Sequence, residues 1–226
     1  MGAPTGRPTP GPSPARRPPR HVLHVRLTPR HGQLARPPLM LAAPHAALRR
    51  ARDLLGASHV ARGTLDDARR AFERALELGQ QHGDALTVAR ATSNLGAIAT
   101  VRGDARRALA LYLLAVPAYQ RVGSAHGLAQ TYHNMAVSLR ELGRLGAADE
   151  CERRAIEFAR DAECPHLVAL AQLSRAELSL RAGDAPLAQA GAYRAAERFD
   201  ALGDAISAAR ARRVLQAARR VRGICR

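Results

Sequence analysis

The sequence predicts an all-α protein made of stacked helix pairs, and three observations point there. Glycines fall at Gly63, Gly103, Gly143 and Gly183, a stride of 40 residues that never slips; a fixed period between 20 and 50 residues marks a stacked repeat. The chain is rich in alanine, leucine and arginine, all good helix formers, and only 3% of it is aromatic. A second glycine series, Gly83, Gly123 and Gly203 with Glu163 at the corresponding fourth place, cuts each unit into two helices of about 17 residues.

Taken in order, the first 44 residues hold eleven of the fourteen prolines, interleaved with arginine. Proline lacks the donor that helices and sheets need, and such a segment buries too little apolar surface to offset ordering entropy, so 1–44 is predicted to be disordered. Within it, "HVLHVRL" (His21–Leu27) reads as a short strand without a partner, and the irregular spacing of His21, His24 and His31 predicts no metal site. Met40 offers a second start for translation.

From residue 45 the pattern becomes helical, and a repeat domain is expected over 45–221. Its units are 45–83, 84–123, 124–163 and 164–203. The expected helices are 45–62 and 65–81, 84–102 and 105–121, 125–142 and 145–161, then 165–182 and 185–201. Thr64 or Asp66 is placed near an N-cap, with Phe72, Ala75 and Leu76 on one face. The acid pairs Asp66-Asp67 and Asp149-Glu150 are placed near the starts of second helices, where negative charge favours the helix dipole. Pro165 and Pro186 sit in first turns, where proline is tolerated, whereas Pro117 is expected to kink or loosen the end of its helix. A capping helix follows over 204–221, with Ile206, Ala209, Val214, Ala217 and Val221 as its apolar stripe, and then a tail at 222–226.

The net charge of +16 is unevenly placed, and every basic residue other than histidine is arginine. Residues 1–53 carry ten arginines against one acid, 54–204 carry eighteen against eighteen, and 205–226 carry seven against none. The repeating body is neutral and the ends are basic. Without lysine there is no Walker-type phosphate loop and no Schiff base; no G-x-G-x-x-G, G-x-S-x-G or H-E-x-x-H occurs either. Cys151, Cys164 and Cys225 form neither a disulfide framework nor a zinc spacing, and Cys164 beside His166 reads as a turn residue. No apolar run is long enough to be a signal-peptide core or to span a bilayer. The expectations are therefore no catalytic residue, no cofactor, no metal, no membrane partner and a cytoplasmic location.

The stretch "TSNLGAIATVRGDARRALALYLLA" (Thr92–Ala115) resembles a tetratricopeptide repeat. That family places Leu-Gly in the first helix, glycine seven later, then small and aromatic residues in the second. The Leu-Gly place holds Leu55-Gly56, Leu95-Gly96, Met135-Ala136 and Arg175-Ala176. The small places hold Ala68, Ala108, Ala148 and Ala188, then Ala75, Ala115, Ala155 and Ala195; the aromatic place holds Phe72 and Tyr112, but Glu152 and Ala192 in the last two units. The resemblance covers 45–204 with 40-residue rather than 34-residue units. It implies a right-handed α–α superhelix of about four helix-turn-helix repeats.

The same resemblance implies a groove lined by the first helices that holds an extended peptide or a partner segment. Its asparagine place, which bonds the ligand backbone in that family, holds Asn94 and Asn134, with Ser174 and Leu54 in the other units. Neighbouring groove places carry Arg90, Ser93, Ala97 and Val101 in one unit and Gln130, His133, Val137 and Arg140 in the next. Asparagine supplies both a donor and an acceptor, which suits a peptide backbone. The alternative for both asparagines is a bond within the protein itself. The expected function is a non-catalytic interaction scaffold for a protein or peptide, in bacterial signalling or regulation. The alternative is a sensor or oligomerisation module of a transcriptional regulator, with accessory nucleic-acid contact through the arginine-rich ends. An incompletely capped fourth unit would also allow a homo-oligomer.

Overall fold

The computed structural model describes residues 62–224, and residue 47 before them. Eight helices follow one another in the described part: α1 (Arg62–Gln81), α2 (Ala85–Val101), α3 (Ala105–Arg121), α4 (Ala125–Glu141), α5 (Leu145–Asp161), α6 (Pro165–Arg181), α7 (Ala185–Ala201) and α8 (Ala205–Ile224). There is no strand among the described residues. The expected disordered segment, the strand at 21–27, the histidine trio and all but residues 47 and 62 of the 45–62 helix lie outside the described residues.

Each turn is three residues long and serves two helices at once. After α2, the Gly103 N–H donates to Thr100 O and the Asp104 N–H to Ala99 O, both at 2.9 Å. These are the paired bonds that close a helix on a left-handed residue. Asp104 then caps α3, its Oδ1 accepting from the Arg107 N–H at 3.0 Å. Asp84, Ser124, Asp184 and Asp204 cap α2, α4, α7 and α8 in the same way. Six of the turn glycines take φ between +64° and +83°, and Glu163 takes +50° at the same place. Arg144 and Cys164 provide no side-chain cap, though Pro165 lowers the need by removing one donor from the start of α6.

Gly63 departs from the expected pattern. Gly63 lies within α1, whose described residues run from Arg62, and Thr64 and Asp66 are helical as well rather than at an N-cap. Helix α3 is helical through Pro117 and ends at Arg121, where the sequence placed its end. Pro117 is exposed there, so the Leu113 carbonyl that loses its partner can face water. At the other end α8 continues to Ile224, past the expected 221.

Packing follows size. Ala68, Ala108, Ala148 and Ala188 have no exposed surface, and neither do Ala75, Ala115 and Ala195, because paired helices cross closest at these positions. The aromatic place is filled inward in every unit: Phe72, Tyr112, Glu152 and Ala192 are all buried. Tyr112 lies over Gly96 so closely that a Cβ there would stand 2.6 Å from the ring. Tyr119 covers Gly127 more tightly still, at 2.3 Å from the place of a Cβ. The capping helix corrects the expected stripe. Ala208, Ala211 and Ala218 are its buried residues, whereas Ile206 is 84% exposed and Ala209 and Val221 are also exposed. Small residues again win the close crossing, here against α7 and its buried Phe199.

Candidate partner-binding face

Neighbouring first helices touch one another: α2 meets α4, α4 meets α6, and α6 meets α8. Neighbouring second helices make no such contact among the described residues. The first helices thus form the inner layer, and their equivalent positions line up across units.

On this layer Asn94 and Asn134 are half-buried, and neither amide has a hydrogen-bond partner among the described residues. Arg90 and Gln130 are exposed one turn earlier, Val101 is exposed at the far end of α2, and Ala97 and Val137 are half-buried between. Three other expected residues are engaged within the protein. Ser93 is buried, with its Oγ 3.3 Å from Thr131 Oγ1, tying α2 to α4. His133 places Nδ1 3.0 and 3.1 Å from the two carboxylate oxygens of Glu152, which is fully buried on α5. With Glu152 ionised, Nδ1 carries the proton and donates. Glu152 thereby replaces the missing aromatic with a histidine-paired carboxylate, which sequence position alone did not reveal.

Arg140 is engaged as well. Its Nη1 donates to Glu177 Oε2 at 2.9 Å, and Arg210 donates to both oxygens of the same carboxylate at 2.8 and 2.9 Å. The three side chains bridge α4, α6 and α8. Glu177 neutralises one of the two cations, so the face keeps a modest positive balance, with Arg90 free of any ion pair among the described residues.

The remaining polar groups explain themselves structurally. Asp149 and Asp66 do not lie in the first turn of their helices. Instead, Asp149 accepts from Arg175 at 2.7 Å and from Arg153 at 2.9 Å, and Asp66 pairs with Arg102. Burial raises the Asp149 carboxyl, but the two guanidiniums outweigh it and hold it below its ordinary value. Burial pushes the Cys151 thiol up, and the Glu152 charge adds to the shift. Cys164 is the N-cap residue before α6, and His166 bonds Asp204 at 3.1 Å while lying edge-on to Phe199. Among the described residues no group of His, Cys, Asp and Glu has the makings of a metal site, and no helix is long and apolar enough to cross a membrane.

Helix pairs of this length, with alanine at each crossing, a left-handed glycine in each turn and first helices aligned on one face, agree with a match of residues 87–161 to the tetratricopeptide repeat family. This segment is made of tetratricopeptide repeats. The same turn glycine, paired alanines and helix lengths persist beyond it in α6 and α7. Among solved structures, BtubC (BKLC) from P. vanneervenii is similar at 15% identity over 83% of this chain and 92% of that one, with a TM-score of 0.48. A kinesin light chain protein of nearly identical TPR-like repeats from Podosopora anserina is similar at 13% identity over 80% and 96%, with a TM-score of 0.46. No curated protein matches the chain.

Proposed function

We propose that the protein is a non-catalytic interaction scaffold that binds an extended segment of a partner protein along its first helices, in the cytoplasm. The observation that favours this reading is the pair of half-buried, unpartnered amides of Asn94 and Asn134 at equivalent positions of α2 and α4. Neither amide is sealed from solvent, so a partner can reach both without breaking a side-chain bond inside the protein. An extended backbone offers a donor and an acceptor to each amide. Arg90, Gln130, Ala97, Val101 and Val137 would flank the segment. Ser93, His133 and Arg140 would shape the wall, their polar atoms being held by Thr131, Glu152 and Glu177.

The test is a peptide selected against this protein from a displayed library. Asn94→Ala with Asn134→Ala is expected to weaken its binding by about tenfold through the lost hydrogen bonds, with helicity and melting unchanged. Unchanged affinity in the folded double variant rules the face out.

A further inference from the structure

We propose a second binding site, on the opposite layer: an arginine-lined groove between α5 and α7 that takes an extended acidic segment of a partner protein. The groove gains room at Gly191: where α3 carries the half-buried Leu111, α7 carries this glycine. Gly191 lets α7 settle against α6, since a Cβ on it would lie 3.1 Å from Ala176 Cβ. The result is a cavity of about 420 Å³ with α6 as its floor. The corresponding place between α1 and α3 encloses about 70 Å³.

Charge distinguishes the two places further. The larger groove is lined by Arg153, Arg160, Arg175, Arg194 and Arg198 against Glu157. Arg153 and Arg175 are held by Asp149, but Arg160, Arg194 and Arg198 have no ion pair among the described residues. In the smaller place Arg69 pairs with Glu73 at 2.7 Å and Arg102 with Asp66. That leaves Arg107 as its one arginine without an ion pair among the described residues. Unpaired like charges lining one concave site repel one another, and an anion relieves that repulsion.

Spacing selects the anion. Arg194 and Arg198 are one helical turn apart, about 6 Å between Cβ atoms. Alternate residues of an extended peptide are about 6.7 Å apart on one side, so successive carboxylates meet successive guanidiniums. A compact oligophosphate crowds its charge into a shorter span. A nucleic acid would want aromatic platforms for its bases, and no aromatic side chain lines this groove.

The probe is a fluorescein-labelled peptide with glutamate at every second position, titrated by anisotropy at low salt. Arg194→Ala with Arg198→Ala is expected to weaken binding by about tenfold without changing the melting curve, as both side chains are exposed. Arg213→Ala with Arg220→Ala removes equal charge from the exposed surface of α8 and is expected to change affinity less than about twofold. Equal losses in the two variants would reduce the effect to general electrostatics and overturn the site. So would the absence of saturable binding, or an oligothymidylate that competes as well and is lost on the same substitutions. Asn94→Ala with Asn134→Ala should leave this binding intact, which separates its failure from that of the first-helix face.

Discussion

The helix pairs α2–α3 and α6–α7 share one backbone plan and differ in what fills it. In α2–α3, Tyr112 lies over Gly96, with its hydroxyl 3.2 Å from Thr100 Oγ1. In α6–α7 the same two places hold Ala192 and Ala176, and Gly191 replaces the leucine beside the tyrosine. One pair spends its volume on a ring inside; the other keeps alanines inside and arginines along an open groove. The difference shows that turns and alanine crossings set the repeat, while the residues between them decide whether a flank is core or site.

The comparison breaks most severely at Tyr112. Tyr112→Ala is expected to cost roughly 3–5 kcal/mol in urea unfolding, as for a large aromatic removed from a core. Gly96→Ala on its own should cost roughly 1–3 kcal/mol by overpacking, and much less once Tyr112 is alanine, because the clash is with that ring. Additive losses would show that the two positions do not oppose each other.

A smaller effect is expected at the turn between α5 and α6. Glu163 holds φ +50° where the other described turns have glycine, so Glu163→Gly should raise stability by about 1 kcal/mol. A lower melting temperature in that variant would contradict the left-handed assignment.

The mildest probe sharpens the comparison through pH. Burial pushes the Tyr112 hydroxyl from 10.0 to about 12, against the pull of its Thr100 bond. A raised acid favours the folded state while neutral, so this contribution is intact below pH 10 and is lost as pH rises towards about 12. Tyr119, raised by burial, and Tyr193, raised by its Glu197 bond, also titrate above the ordinary value. Absorbance at alkaline pH should therefore show more than one late tyrosine, and the component at about pH 12 should vanish in Tyr112→Phe. An unchanged titration in the variant would place that component elsewhere.

Much of the fold was legible because it repeats. The glycine stride located the turns from Gly83 onward, and the alanine series located the crossings, since both answer to local sterics. Gly63 misled because a single glycine is tolerated within a helix, and nothing local separates that use from a turn. The cap role of Asp84, Asp104, Asp184 and Asp204 was present in the recurring Gly-Asp pair but was overshadowed by acid pairs one turn further on, which turned out to serve ion pairs. Ile206 misled for a different reason: a helical period defines a stripe but not which of two apolar stripes faces inward.

The candidate sites were legible only in part. Asn94 and Asn134 stood in successive units at the place that the tetratricopeptide resemblance implies for ligand contact. Glu152 did not announce His133, because their meeting depends on how α4 lies against α5. The arginines of the α5–α7 groove are scattered over three helices and look like ordinary surface charge in a neutral body. The sequence by itself determined the helices, their turns and the stride at which they stack, because these depend on backbone conformation and side-chain size within a few residues. Tertiary structure alone decided which charges meet and which stand unpaired, because pairing across helices depends on distances that residue order does not contain.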